Sequence, residues 1–458
     1  MGVLCCCFGF SVESGMNTSR ASTRTRCVAT APALAMLCTA LLLFARPAAA
    51  DVPFTNHVIQ AAFTGASSVV ASDLNGDGWV DIIGSAQTAG RVSWWQNQDG
   101  TGSTWTEHLL DTNFTGAYSV FAADVDTNGT LDVIGAANTA DDIVWWRNQD
   151  GTGTNCTRIA VDTNFNGAAC VRAVDVDGDG LVDVVAAGTS AGIAWWKNLD
   201  GSGTSWTKYT VDAGFSGAVS VQCTDLDHDG TPDIVAAANT LSQVAVWRNV
   251  GGYGTNWVKQ TVASSFGTAN AVFVADINGN GHMDIVASAQ TDNQVAWWDN
   301  VSGYGTNWTK RTVDISFPSP SSVYAADIDK DGDLDIVGTA KIAPNGQVAW
   351  WENADGAGTS WTKHTVSTSF NRGRSVVAAD INGDEDLDLA GASQDNNSIE
   401  WWENKTLYSL NVSSSNSYGL VNVPSGSYDG GTILSILAVA SNGCLFTGWT
   451  GDFAPGNT

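Results

Sequence analysis

Positive charge is scarce in this chain, with 20 Lys and Arg against 47 Asp and Glu over 458 residues, a formal net charge of −27. Nucleic acid is held through basic surfaces, so it is not an expected partner. Histidine is scarcer still, limited to His57, His108, His228, His282 and His364. None stands beside a Ser or Cys it could activate, so the usual nucleophile and base constellation has no candidate. Zinc and copper, which favour imidazole and thiolate, are not expected either. Long apolar runs are missing outside Ala35 to Phe44, and no other run is long and apolar enough to span a bilayer. That one run follows Arg20, Arg24 and Arg26 and precedes Ala48-Ala49-Ala50, the pattern of a secretory signal cleaved after Ala50, with Met16 as an alternative start. The expected location is therefore secreted, outside the cell or at its surface. Four cysteines follow the cleavage point, Cys156, Cys170, Cys223 and Cys444. They suit either two disulfides or small buried hydrophobes, and the second reading is preferred.

What the chain has in abundance is one acidic loop, repeated seven times. The copies begin at Asp73, Asp124, Asp175, Asp225, Asp276, Asp327 and Asp380, at steps of 51, 51, 50, 51, 51 and 53 residues. They read DLNGDGWVD, DVDTNGTLD, DVDGDGLVD, DLDHDGTPD, DINGNGHMD, DIDKDGDLD and DINGDEDLD. Oxygen side chains stand at positions 1, 3, 5 and 9 of each. Ca²⁺ takes six to eight oxygen ligands, and alternate side chains of a tight loop plus one backbone carbonyl can converge on it. The first loop offers Asp73, Asn75, Asp77 and Asp81, with the Trp79 carbonyl. The second offers Asp124, Asp126, Asn128 and Asp132, and the third Asp175, Asp177, Asp179 and Asp183. The fourth has Asp225, Asp227, Asp229 and Asp233, and the fifth Asp276, Asn278, Asn280 and Asp284. Asp327, Asp329, Asp331 and Asp335 serve the sixth, and Asp380, Asn382, Asp384 and Asp388 the seventh. Asp, Asn and Gly also make good turns without metal. Seven copies in phase favour the cation reading, with up to seven Ca²⁺ per chain.

The repeat extends beyond the loop. A Phe stands ten residues before each first Asp, from Phe63 to Phe370, and a small apolar run such as DIIGSAQ follows each loop. A tryptophan strand comes next, VSWWQN, IVWWRN, IAWWKN, VAVWRN, VAWWDN, VAWWEN and IEWWEN, then a Gly-rich turn and a segment like TKHTV. Four short strands per unit at a period near 51 residues is the signature of a propeller blade. The fold class expected is all-β, a seven-bladed β-propeller of four-stranded antiparallel blades. His57 and His364 each lie 16 residues before a loop, so residues 54–60 align with an outer fourth strand. They are expected to complete the last blade beside residues 398–404, removing an exposed edge.

These loops, together with FTGA and FSGA segments, resemble FG-GAP/VCBS-type repeats over about residues 54 to 404. The resemblance implies a calcium ion in the hairpin between the first two strands of each blade and no single activity. Asn278, Asn280 and Glu385 depart from that pattern in loops five and seven. After Lys405 the sequence turns Ser- and Gly-rich, and its closing FTGWTGD resembles internalin-type B repeats. The domains expected are a signal segment at 1–50, a calcium-binding propeller at 51–405 and a partial small β domain at 406–458, in a monomeric chain.

Function is read from surfaces. Twenty tryptophans invite a carbohydrate-binding reading, but adjacent Trp residues in a strand point to opposite faces and both faces of a blade are covered, so core packing is the expectation. Trp79 is the exposed exception. Six residues after each closing Asp stand Gln87, Asn138, Thr189, Asn239, Gln290, Lys341 and Gln394, on the face opposite the loops. With Thr88, Thr139 and Asp395 they suit either a ligand surface or solvated hairpin turns. The function expected is a binding or adhesion module for a surface glycan or protein. The alternative is a polysaccharide-active enzyme of lyase or dehydratase type, which would need His, Tyr, Arg or Lys converging on the axis.

Overall fold

The computed structural model describes residues 52–405 throughout and, outside them, the backbone of short strands at 6–12, 36–41 and within 407–450. Those outer strands pair with one another. The signal cleavage site at Ala50 and the side chain of Cys444 lie outside the described residues.

Each repeat folds as four antiparallel strands in sequence order, Ala66–Ser72, Asp81–Ala86, Arg91–Asn97 and Trp105–Asp111 in the first. Six blades are built this way, and the seventh joins Gly373–Ala379, Asp388–Ser393 and Ser398–Asn404 to Phe54–Gln60. The first strand of each blade packs against its counterparts in neighbouring blades around the axis. Register supports the closure: His57 stacks on Trp401 at 4.5 Å, as His108 does on Trp94 at 4.4 Å and His364 on Trp350 at 4.3 Å.

The second strand of every blade is buried from end to end, because blades cover both its faces. Small residues are needed there. A Cβ on Gly135 would stand 2.8 Å from Trp146 and 2.9 Å from Phe114. The tryptophans divide the work of packing. The last Trp of each tryptophan strand, in blade four its single Trp247, meets the repeat's Phe edge-on, with centroids 4.8 to 5.2 Å apart in all seven blades. The first Trp reaches the next blade: the Trp94, Trp145, Trp195 and Trp297 indoles donate to the Gly153, Gly203, Gly254 and Gly358 carbonyls at 2.9 to 3.1 Å. Both sets are buried, as expected, while Trp79 is 42% exposed.

Cys156, Cys170 and Cys223 are free thiols. The Cys156 thiol donates to the Gly153 carbonyl at 3.3 Å, the place where Trp105 and Trp206 donate to Gly102 and Gly203. It replaces an aromatic in the repeat and joins no disulfide.

Candidate functional site

Each acidic loop is the hairpin between the first and second strands, so all seven lie on one face of the ring. Much of their bonding is turn chemistry. Asp73 accepts from the Asp77 amide at 3.1 Å and the Gly78 amide at 2.9 Å, and the loops starting at Asp124, Asp175, Asp225, Asp276 and Asp327 repeat the pattern. The closing aspartate is fully buried in every loop. Asp81 accepts from the Leu74 and Asn97 amides at 3.1 and 3.0 Å, tying loop to third strand. Burial pushes Asp81, Asp132, Asp183, Asp233 and Asp284 up to about 7 and Asp335 up to about 8, with the sister carboxylates adding to the rise and two backbone amides opposing it.

Position 3 behaves differently. The Asp126, Asp177 and Asp227 Oδ1 atoms are buried and accept no hydrogen bond. A buried carboxylate oxygen with no partner is costly unless something cationic fills the space before it. Carboxylate oxygens of positions 1, 3 and 9 lie within 4.8 Å of one another in the loops of Asp124, Asp175 and Asp327, as do those of positions 1, 3 and 5 in the loop of Asp225. An all-oxygen donor set with orphaned acceptors fits a hard divalent cation such as Ca²⁺. Loops one and five have no such triple among the described residues, since Asn75 and Asn278 take position 3.

In several blades a third-strand residue meets position 3 of the loop, and it was not singled out from sequence. Arg147, Lys197 and Arg248 contact the position-3 aspartates Asp126, Asp177 and Asp227 through the oxygen that is not orphaned. In blade five the equivalent is Asp299, which accepts from Asn278 at 3.3 Å, and in blades six and seven it is Glu352 and Glu403. The signal was available as the variable residue in WWxN.

The opposite face carries the polar ring. Gln87, Asn138, Thr189, Asn239, Gln290, Lys341 and Gln394 all end second strands there and are all half-buried. Neighbours touch at one point, Gln87 to Asn138 at 3.2 Å. Thr189 turns back to the Gly167 carbonyl at 3.4 Å. Burial, then the charges of Arg374 and Arg372, hold the Lys341 ammonium down to about 8. The axis itself was missed. The innermost strands line a cavity of about 410 Å³ there, with Tyr118, Arg172, Tyr324 and Arg374 among its walls.

Seven four-stranded sheets, with an acidic hairpin repeated at the same corner of each, define a β-propeller of the acidic-loop class. FG-GAP-like repeats match at residues 73–135, 128–186, 175–236, 225–287, 276–338 and 342–391, and the chain belongs to that family. No curated protein matches it. Among solved structures it is similar to BBS1N in complex with ARL6DN, in crystals soaked with lead (13% identity, TM-score 0.51) and with mercury (12%, 0.52). Each alignment covers 77% of this chain and 96% of that one, and the likeness is one of fold.

Proposed function

We propose that this chain is an exported, calcium-stabilised propeller that works as a binding or adhesion module for a surface protein or glycan. The observation that carries the calcium reading is the set of orphaned Oδ1 atoms on Asp126, Asp177 and Asp227. When bound, the cation would supply charge compensation at each loop, held by the acids of positions 1, 3, 5 and 9. The metal loops would then brace one face and leave the other for recognition, the usual arrangement of loops on a rigid scaffold. BBS1N, which shares the fold, is in complex with ARL6DN, and this supports a protein as one ligand class. Residues 406–458 are proposed as a partial small β repeat domain.

The test is a calcium titration of the full chain after dialysis against chelator, reading melting temperature and bound metal by elemental analysis. Several Ca²⁺ per chain with a large stabilisation supports the reading, and an unmoved melting curve defeats it. Alanine at Gln87, Asn239 and Lys341 should then weaken any ligand captured by the opposite face. One observation favours the enzyme alternative, because Tyr118, Tyr324, Arg172 and Arg374 line the axial cavity where such a site would need them. Release of unsaturated product from acidic polysaccharides would select that reading.

A further inference from the structure

The chain is strongly acidic, yet none of the residues lining the axial cavity is Asp or Glu, and two are arginines. Many cations elsewhere face carboxylates: Arg91 meets Glu107, Arg158 meets Asp111 at 3.2 Å, Lys259 meets Asp212 at 2.8 Å and Arg311 meets Asp299 at 3.1 Å. Arg172 and Arg374 have no carboxylate partner among the described residues. Arg172 donates to Gln222 Oε1 at 3.1 Å and to its neighbour's carbonyl at 2.7 Å, and lies 5.1 Å from the Phe121 ring centroid. Arg374 lies 4.7 Å from the Tyr118 ring centroid. Tyr118 belongs to blade two and Arg374 to blade seven, so the arginine reaches past the innermost strand of blade one.

The two guanidiniums sit at different depths. Arg374 is the second residue of its innermost strand and Arg172 the fifth of its own, which separates them by roughly 10 Å along the axis. The Tyr324 ring lies tilted 4.5 Å from that of Phe273 and its hydroxyl stays protonated because burial raises it, so it is available as a donor. Guanidinium presents a planar fork of donors matched to carboxylate and other oxyanions. Two such forks with no internal acid, in a lumen large enough for one sugar-sized molecule, form an anion receptor inside a protein whose outer surface repels anions.

We propose that the axial cavity binds a small molecule bearing a carboxylate or similar oxyanion, held by Arg374 and Arg172 with hydroxyl donation from Tyr324. The site rests on the innermost strands and not on the ring of second-strand residues, so the failure of either to bind leaves the other standing.

The test is calorimetric titration of the calcium-loaded full chain with glucuronate, with glucose as the uncharged comparison and sulfate and phosphate as inorganic probes. Saturable binding of glucuronate at one per chain, with glucose silent, is expected. Arg172→Gln and Arg374→Gln should each weaken it by about tenfold or more, while Lys310→Gln, on an outer strand, leaves it unchanged. Val70→Trp fills the lumen and keeps both arginines, so it should abolish binding even where an arginine variant folds poorly. Competition by sulfate or phosphate identifies a general oxyanion site, and its absence identifies a carboxylate site. No saturable binding of any of the three anions at about 10 mM, or binding untouched by Val70→Trp and both arginine variants, overturns the proposal.

Discussion

Single residues carry strain that the repeat exposes by comparison. Position 4 of each loop has positive φ, and Gly76, Gly178, Gly279 and Gly383 take it freely, but Thr127 holds φ 55° with a β-branched side chain. Left-handed backbone costs an L-residue about 1–2 kcal/mol, while glycine returns about 0.5–1 kcal/mol of unfolded-state entropy. Thr127→Gly should therefore stabilise the protein by about 0.5–1 kcal/mol, read as a raised urea midpoint; a lowered midpoint would show that the Thr127 side chain contributes more than its backbone loses. Lys341 is strained electrostatically. Its folded pKa of about 8 lies below the ordinary 10.5, so the charged form is the one the fold disfavours. That cost is complete below pH 8 and fades as pH rises toward 10.5. Lys341→Met should accordingly stabilise the chain at pH 7 and lose most of that advantage by pH 10.5, measured as the difference in midpoint between the two proteins at each pH; a gain that is equal at both pH values would remove burial of charge as its cause.

At the scale of the element, the tryptophan strand does more than pack. In four blades its first indole ties one blade to the next through a glycine carbonyl in the turn before the fourth strand, a bond that neither Trp350 nor Trp401 makes. Trp350 points toward blade seven, whose fourth strand comes from the N-terminus without a Gly-rich turn, and its indole N–H is buried with no partner. Trp94→Phe removes a bonded donor and leaves the Gly153 carbonyl only the weak Cys156 thiol, whereas Trp350→Phe removes an unsatisfied donor. Because a buried hydrogen bond contributes about 0.5–1.5 kcal/mol net and an unsatisfied buried donor costs about 1–3 kcal/mol, Trp94→Phe should destabilise by at least about 1 kcal/mol more than Trp350→Phe in denaturant melts; equal losses would mean the indole bond adds nothing beyond volume. The strands and the closing segment were legible in sequence because period, loop and His57 register are local patterns. The latch was not, since it joins Trp94 to Gly153 across 59 residues. Neither were the serine staples of the innermost strands. There Ser68, Ser220, Ser322 and Ser375 accept the edge amide of the next blade's valine at 3.2 to 3.3 Å. A serine in a small-residue strand looks like any other until the ring is closed.

Across the whole molecule the acidic loops are unequally compensated, and this asymmetry decides where metal matters most. Blade three answers Asp177 and Asp179 with the Lys197 ammonium, which lies 2.8 Å from Asp179 and is itself held well above its usual range by those carboxylates. Blade six places Glu352, which bonds His364 at 3.0 Å, at the same third-strand position, and its loop gathers Asp327, Asp329, Asp331, Asp333 and Asp335 around the single Lys330. Burial, with neighbouring acids adding to it, pushes Asp327 and Asp333 upward as well. Like charges gathered in a half-buried loop repel more strongly than they would in water, and a divalent cation removes that repulsion. The positions of the loops were readable from sequence, but their ranking was not, because it depends on which third-strand side chain faces position 3 after folding. If calcium is the resident ion, chelation should loosen the ring unevenly. Hydrogen exchange read by mass spectrometry should rise first in peptides covering 327–353 and last in those covering 175–198, and Lys197→Gln should bring blade three into line with blade six. Uniform exchange after chelation, or protection that Lys197→Gln leaves untouched, would mean that the built-in cations do not stand in for metal.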